Sequence, residues 1–164
     1  MHYADIKKID IANGEGVRVS LFVSGCRHHC KGCFNEIAWN FKYGKEFTQD
    51  TVDEIIQDLD HDYVEGLSLL GGEPLEPENQ EALAKLVTKV KEKYPNKNLW
   101  AWTGFRFDKD LKDKEITHYL DVLVDGQYID ELHNPTLKWK GSSNQRVIDV
   151  QKSLKDKDVV LFCE

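Results

Sequence analysis

Short apolar runs alternate along the chain with stretches that have the apolar periodicity of amphipathic helices. A run that is apolar at nearly every position is typical of a strand buried on both faces of a sheet. Four such runs predict strands: residues 17–24 (VRVSLFVS), 66–70 (GLSLL), 98–102 (NLWAW) and 121–124 (DVLV). A less regular C-terminal quarter ends in residues 159–162 (VVLF), which predict a last strand.

Two helices are predicted between these strands. In residues 51–59, apolar side chains recur at helical spacing, and Thr51 and Glu54 have the spacing of a capping box. Residues 77–95 begin with proline, which suits the first turn of a helix, and they carry one apolar stripe: Leu83, Leu86, Val87 and Val90. Residues 108–120 predict a third, weaker helix.

The alternation of strands and helices predicts an α/β fold. Strands joined through helices form parallel sheets with right-handed crossovers, so we expect a mostly parallel sheet. A closed (β/α) barrel needs roughly 250 residues. Since this chain has 164 residues, we expect an open, partial (β/α) barrel. The length also predicts one domain, residues 1–164.

Every unusual motif lies directly after a predicted strand. These motifs are the cysteine-rich segment SGCRHHCKGCFN (residues 24–35), Gly71-Gly72-Glu73, Thr103-Gly104 and Asp125-Gly126. In parallel sheets the functional residues lie at the carboxyl ends of the strands. The four motifs are therefore expected to meet at one edge of the sheet and to form one site.

Composition and charge exclude several classes of function. The formal net charge is −7 and no long Lys/Arg run occurs, so we expect no binding to nucleic acid. Residues 1–10 contain no apolar core of a secretory signal, and the longest apolar runs are far too short to span a membrane. We expect a cytoplasmic protein without a membrane partner. Cytoplasmic thiols stay reduced, which argues against a disulfide.

Three of the four cysteines form a C-x3-C-x2-C motif: Cys26, Cys30 and Cys33. Thiolates bind both zinc and iron–sulfur clusters. A structural zinc site needs a fourth ligand, for which His28, His29 and Cys163 are candidates. Zinc motifs, however, usually contain two separated C-x2-C pairs. A four-iron cluster on three cysteines leaves one iron open for a substrate or cofactor. The spacing alone favours iron–sulfur only modestly over zinc.

The turn after the second predicted strand also has a chemical rationale. Glycines such as Gly71 and Gly72 let the backbone approach a ligand closely. The Glu73 carboxylate is suited to accept a charge-assisted hydrogen bond from a ligand's ammonium group. The alternative is an ordinary turn, because Gly-Gly is a common chain breaker.

The motifs together resemble the radical S-adenosylmethionine superfamily. C-x3-C-x2-C follows the first strand, Gly-Gly-Glu follows the second, and residues 13–26 (NGEGVRVSLFVSGC) are similar to the superfamily's lead-in to the first cysteine. Four further segments resemble the activating proteins of anaerobic ribonucleoside-triphosphate reductases: residues 30–35, 103–105, 124–126 and above all 141–149 (GSSNQRVID). Gly32 stands where many superfamily members carry an aromatic residue. The aromatic residue here is Phe34, as in the activating proteins.

The resemblance implies a fold, cofactors and roles for individual residues. The fold is the open partial barrel of the radical S-adenosylmethionine type. Cys26, Cys30 and Cys33 ligate a [4Fe–4S] cluster, whose fourth iron binds the amino and carboxylate groups of S-adenosylmethionine. The other residues implied in cofactor binding are Phe34, Gly71, Gly72, Glu73, Thr103 and Asp125. For Thr103 and Asp125, the alternatives are a bound cation or a helix cap.

The resemblance also implies an activity and partners. The implied enzyme is an oxidoreductase that cleaves S-adenosylmethionine and forms a glycyl radical on the anaerobic (class III) reductase. An electron donor such as a flavodoxin is a second expected partner, and a homodimer is a further option. Segment 141–146 is expected to form an anion-holding turn or a docking element. Two alternatives remain: an activase of a different glycyl-radical enzyme, and a zinc-stabilised binding module without catalysis.

Overall fold

The computed structural model describes residues 1–33 and 35–163. Within them, eight strands form one open sheet in the spatial order β3-β1-β2-β4-β5-β6-β7-β8. The strands are β1 (His2–Asp10), β2 (Val17–Val23), β3 (Lys45–Glu46), β4 (Val64–Gly71), β5 (Asn98–Trp102), β6 (Val122–Asp125), β7 (Arg146–Asp149) and β8 (Leu161–Cys163). The helices are α1 (Gln49–Asp58), α2 (Pro77–Lys93) and α3 (Val150–Asp156).

The sheet is mixed, so the expectation of a mostly parallel sheet is wrong. The central strands β2, β4, β5 and β6 are parallel neighbours. The four other pairings in the described chain are antiparallel and lie at the two edges. A short loop, residues 11–16, joins β1 to β2, whereas a parallel pair needs a long crossover. A 3₁₀ turn (Asp130–Leu132) replaces a crossover helix between β6 and β7.

The main core lies between the helices and one face of the sheet. Alternate residues of the central strands point into it, among them Leu21, Leu69, Leu99 and Leu123. The predicted stripe of α2 is confirmed, because Leu83, Leu86, Val87 and Val90 are all buried. Burial on both faces explains why the central strands are almost continuously apolar in sequence.

Helix α1 begins earlier than predicted. Thr48 is its N-cap, and Thr51 is the reciprocal partner of the capping box. The prediction that Thr51 and Glu54 form the box is therefore wrong by three positions, because Thr51 suits both roles in sequence. Residues 108–120 contain a π-helical turn (Phe107–Leu111) and a 3₁₀ turn (Ile116–Tyr119) in place of the predicted helix. The Asp110 carboxylate accepts the backbone N–H of Arg106 at 2.8 Å, a local bond that competes with helix.

The opposite face of the sheet buries an arginine. The Arg18 guanidinium donates to Ser68 Oγ at 2.6 Å and to Asn98 Oδ1 at 2.6 Å. Its remaining donors reach the carbonyl groups of Glu15, Leu67 and Asn98. Burial lowers the pKa of Arg18 to about 10. All five N–H groups have partners, so this side chain ties together the amino ends of the parallel strands.

A second, smaller apolar cluster lies on the same face as Arg18. Trp100 is buried there together with Val122, Val124 and Val147. The Trp139 ring packs edge-on against the Trp100 ring, and the Trp139 carbonyl accepts the indole N–H of Trp102 at 2.7 Å. Within residues 1–33 and 35–163, none of the helices is long and apolar enough to cross a bilayer.

Candidate functional site

The cysteine loop and the Gly-Gly-Glu turn are hydrogen-bonded to each other. The Gly72 N–H donates to the Val23 carbonyl at 2.8 Å, and the Glu73 N–H donates to the Gly25 carbonyl at 2.7 Å. Gly71 has a φ of +115°, and a Cβ at this position would lie 2.5 Å from the Val23 backbone. Glycine is therefore needed for both the conformation and the close approach. The motifs that follow β2 and β4 form one unit.

The Glu73 carboxylate connects three strand ends. Its Oε1 atom accepts the Gly104 N–H at 2.6 Å and lies 2.7 Å from His28 Nε2. Its Oε2 atom accepts the Thr103 hydroxyl at 2.8 Å and the Leu75 N–H at 2.9 Å. A carboxylate has about four lone-pair sites, so protein donors already fill them. With a side chain only 1% exposed, Glu73 acts as an internal anchor in this structure.

The cysteine sulfurs face backbone donors. Cys26 is buried, and the backbone N–H groups of His28 and His29 act to lower the pKa of its thiol. The Tyr128 N–H acts to lower the pKa of the Cys30 thiol, and the Asn35 N–H donates to the sulfur of Cys33, with 3.5 Å between nitrogen and sulfur. Such N–H donors favour a thiolate and are typical of cysteines that bind clusters. All four cysteines are free thiols.

The donor set fits a thiolate-bound cluster. Three thiols lie within one loop. Backbone N–H groups act to lower the pKa of Cys26 and Cys30, and one donates to the sulfur of Cys33. Burial raises the pKa of Cys26 to about 11 and also raises the pKa of Cys30. A raised pKa favours the protonated thiol, whereas a metal binds the thiolate. Metal binding therefore releases protons from these cysteines. In the part of the chain that the structure describes, no three His, Cys, Asp or Glu side chains are already arranged as a metal-ligand set.

Segment 126–133, which follows β6, covers the cysteine loop. Besides the Tyr128 contact, Lys31 Nζ lies 3.4 Å from Glu131 Oε1. The Asp130 carboxylate lies directly beside Gly32, where it would collide with an added Cβ. Segment 126–133 therefore forms one wall of the candidate site.

Segment 141–146 supports that wall. Gln145 Nε2 donates to the Gly126 carbonyl at 2.9 Å, and Asn144 Nδ2 donates to the Gln127 carbonyl at 2.8 Å. The buried Ser142 hydroxyl accepts the Ile129 N–H at 3.1 Å. The sequence predicted an anion-holding turn or a docking element here. The structure places these side chains against segment 126–133, and the anion-holding or docking role stays a prediction.

Thr103 and Asp125 both lie at the predicted edge. Besides its bond to Glu73, Thr103 donates its N–H to the Val124 carbonyl at 2.9 Å. The fully buried Asp125 carboxylate accepts the Phe107 N–H at 2.9 Å and two bonds from Arg146, at 2.6 and 3.0 Å. Asp125 thus pairs with an arginine and caps the π-helical turn. Phe34, the remaining predicted site residue, lies outside the described residues.

The sequence indicated His28 only as a candidate zinc ligand. The structure shows a largely buried ring, with a side chain 10% exposed, between Glu73 and Gln127. Burial alone would lower the pKa of His28, but the hydrogen bond and charge of Glu73 outweigh burial and raise it. The sequence gives no sign of this contact, because Glu73 lies 45 positions further along the chain.

Comparisons with known proteins identify the family of this chain. Residues 12–148 match the family model of the 4Fe-4S single cluster domain. Three similar proteins are each named anaerobic ribonucleoside-triphosphate reductase-activating protein. The protein of Enterobacteria phage T4 is 47% identical over 90% of this chain and 93% of its own length. The Vibrio cholerae protein is 45% identical over 88% and 96%. The Escherichia coli K12 protein is 41% identical over 90% and 97%.

These matches cover most of this chain and nearly the whole of each relative. The matched region includes the cysteine loop, the Gly-Gly-Glu turn and most of segment 141–149. The chain belongs to the family of anaerobic ribonucleoside-triphosphate reductase-activating proteins and carries a 4Fe-4S single cluster domain.

Proposed function

We propose that this protein is an oxidoreductase that cleaves S-adenosylmethionine reductively and forms a glycyl radical on the anaerobic ribonucleoside-triphosphate reductase. One observation carries the proposal. Three free cysteines lie on a loop that is hydrogen-bonded to the Gly-Gly-Glu turn at the carboxyl ends of parallel strands. That edge of an α/β sheet is where cofactors bind. The family assignment supplies the reductase as the partner.

Cys26, Cys30 and Cys33 hold the [4Fe–4S] cluster in this proposal. When bound, the cluster would pass one electron from a reductant to S-adenosylmethionine, whose sulfur–C5′ bond would break to give methionine and a 5′-deoxyadenosyl radical. The chain's own contribution is binding, orientation and exclusion of water. The backbone of Gly71, Gly72 and Glu73 would bind the methionine part of S-adenosylmethionine in this proposal. The Glu73 carboxylate is already occupied by internal donors and would hold the turn in place.

The remaining site residues shape the pocket. Thr103 and Asp125 fix the ends of β5 and β6, and Phe34 next to the third cysteine completes the cofactor-binding set. The fold in this proposal is an open partial barrel of the radical S-adenosylmethionine type, formed by residues 1–164 as one domain. An open edge suits a protein substrate, since the docked reductase closes the site against water.

The reaction requires a one-electron donor and a hydrogen donor. We propose a flavodoxin-type protein as the reductant and the Cα–H of one reductase glycine as the hydrogen donor. The hydrogen atom passes from that carbon to the 5′-deoxyadenosyl group, which leaves a glycyl radical on the reductase. This chemistry fits a cytoplasmic protein, because thiols stay reduced in the cytoplasm. A homodimer is compatible with the proposal.

Anaerobic reconstitution tests the proposal. The protein is loaded with iron and sulfide, reduced with dithionite and mixed with S-adenosylmethionine, and 5′-deoxyadenosine is measured. We expect about four irons per chain and product formation. Cys30→Ser should abolish both, whereas Cys163→Ser, a matched change at the cysteine outside the motif, should preserve both. A colourless protein that binds one zinc and yields no product would favour the zinc-stabilised binding module.

A further inference from the structure

We propose that His28 is a positioning residue that locks the cysteine loop onto the ends of β4, β5 and β6. The locked loop holds the three thiols in a fixed relation to the Gly71–Glu73 turn. The predicted effect on catalysis rests on the function proposed above. The predicted effect on the loop itself does not, because it follows from contacts within this chain.

The first contact joins the loop to the end of β4. His28 Nε2 lies 2.7 Å from Glu73 Oε1. An ionised carboxylate can only accept hydrogen bonds, so Nε2 carries the proton and donates it. Glu73 is itself held by the N–H groups of Leu75 and Gly104 and by the Thr103 hydroxyl. His28 is therefore bonded to a fixed group.

The second contact is packing against the end of β5. The His28 ring lies over Gly104, where an added Cβ would come within 2.6 Å of the ring. The ring also meets the Phe105 ring edge-on, with centroids 4.7 Å apart. Gly104 thus leaves the space that the imidazole fills.

The third contact reaches the segment after β6. Gln127 Nε2 lies 3.1 Å from His28 Nδ1. With Nε2 directed at Glu73, both ring nitrogens are engaged by protein groups. This arrangement leaves His28 without a free nitrogen for a metal, so it speaks against His28 as the fourth ligand of a zinc site.

Neighbouring polar side chains of the loop do not provide the same link. Arg27 has a side chain 59% exposed and pairs with Glu76 and Glu78 near the start of α2. The exposed His29 ring stacks on Trp39, with centroids 4.3 Å apart. Lys31 is 81% exposed and pairs with Glu131. Of these four side chains, His28 alone reaches β5, so its removal should loosen the loop without removing a thiol.

The test compares His28→Ala, His28→Gln and a control, His61→Ala, in which an exposed histidine far from the cysteine loop is removed. The readouts on the cluster-loaded protein are iron content, the EPR spectrum of the reduced cluster with and without S-adenosylmethionine, and the kcat and KM for 5′-deoxyadenosine formation. Amide hydrogen exchange of residues 25–33 is measured in parallel, with and without the cluster.

His28→Ala should retain iron but show faster exchange in residues 25–33 and an altered response of the EPR spectrum to S-adenosylmethionine. Product formation should fall about ten- to a hundredfold, as expected when reacting groups are misplaced. His28→Gln keeps an amide that can donate to Glu73 and should recover part of the loss. His61→Ala should match the unmodified protein in every readout.

Gly104→Ala gives an independent route, because its Cβ displaces the imidazole while His28 remains. We expect the same faster exchange and the same altered spectrum. Normal exchange and normal spectra in both His28→Ala and Gly104→Ala would overturn the proposal. If His28→Ala does not fold, the proposal is tested with Gly104→Ala and His28→Gln, using the same exchange and EPR measurements. If the unmodified protein forms no 5′-deoxyadenosine, the proposed function is wrong. The hydrogen-exchange data still test whether His28 positions the cysteine loop.

Discussion

The Nε2 atom of His28 lies 2.7 Å from the Oε1 atom of Glu73, so the loop after β2 is bonded directly to the turn after β4. The same carboxylate also accepts bonds from Thr103 and Gly104 at the end of β5. One buried side chain therefore fixes the relative positions of three strand ends. The contribution of Glu73 to stability and its contribution to the site can be measured separately.

Glu73→Gln should destabilise the protein. The amide replaces one acceptor oxygen with a donor, which then faces either Thr103 and Leu75 or His28 and Gly104. We expect a loss of about 2–3 kcal/mol in the free energy of unfolding. Chemical denaturation measures it, with the exposed Glu81→Gln as the control, which should change little. Equal midpoints for the two variants would contradict the anchoring role.

Arg18 should be among the most sensitive positions far from the site. Arg18→Met leaves Ser68, Asn98 and the Leu67 carbonyl without their buried donor. We expect about 3 kcal/mol of destabilisation or more, because several buried acceptors lose their donor and each unsatisfied group costs about 1–3 kcal/mol. Lys8→Met is the control, because Lys8 is 66% exposed and lies 3.9 Å from Asp58. A stable Arg18→Met variant would show that packing, not hydrogen bonding, holds this end of the sheet.

Gly25→Ala separates backbone strain from crowding in the cysteine loop. Gly25 has a φ of +102°, and a Cβ there would collide with the Phe41 ring. We expect a loss of about 2 kcal/mol or more in unfolding free energy. The double variant Gly25→Ala/Phe41→Ala should remove the collision but keep the strained φ. If the loss of unfolding free energy in the double variant equals the sum of the losses in the two single variants, the crowding argument is wrong.

The pH dependence of stability should include a contribution from Asp10. Burial by itself raises the pKa of Asp10, but hydrogen bonds from the Asn13 amide and the Ala12 N–H outweigh it and lower the pKa below 3.8. A lowered folded-state pKa stabilises the protein above 3.8, and the stabilisation is lost as pH falls through the folded-state value.

Asp10→Asn should therefore be less stable than the unmodified protein at neutral pH, by about 1 kcal/mol. The difference should shrink at acidic pH, because Asp10 becomes protonated there. Thermal unfolding measured from pH 7 down to pH 3 checks this. A difference that stays constant across that range would contradict the assignment of the effect to the Asp10 charge.

The central strands and both long helices could be predicted from sequence because burial leaves a clear pattern. Strands β2, β4 and β5 are mostly apolar in sequence, and the stripe of α2 has a helical period. Strand β1, which lies between β3 and β2, was missed, since its residues are largely polar and half-exposed. Strand β7 was missed because it is four residues long and leads directly into α3.

For the site, the sequence predicted which motifs meet but not how they are bonded. Position after a strand was sufficient to bring the cysteine loop, Glu73, Thr103 and Asp125 to one edge. The partners of those side chains depend on three-dimensional packing. The ion pair of Asp125 and Arg146 joins residues 21 positions apart, and no local pattern indicates it.

The most direct test of the central claim is an EPR measurement on an anaerobic mixture of this protein, dithionite, S-adenosylmethionine and the matching anaerobic reductase. We expect a glycyl-radical signal on the reductase. The signal should be absent when Cys30→Ser replaces the unmodified protein and present with Cys163→Ser. A reduced cluster that cleaves S-adenosylmethionine but produces no glycyl radical on this reductase would contradict the proposed activity.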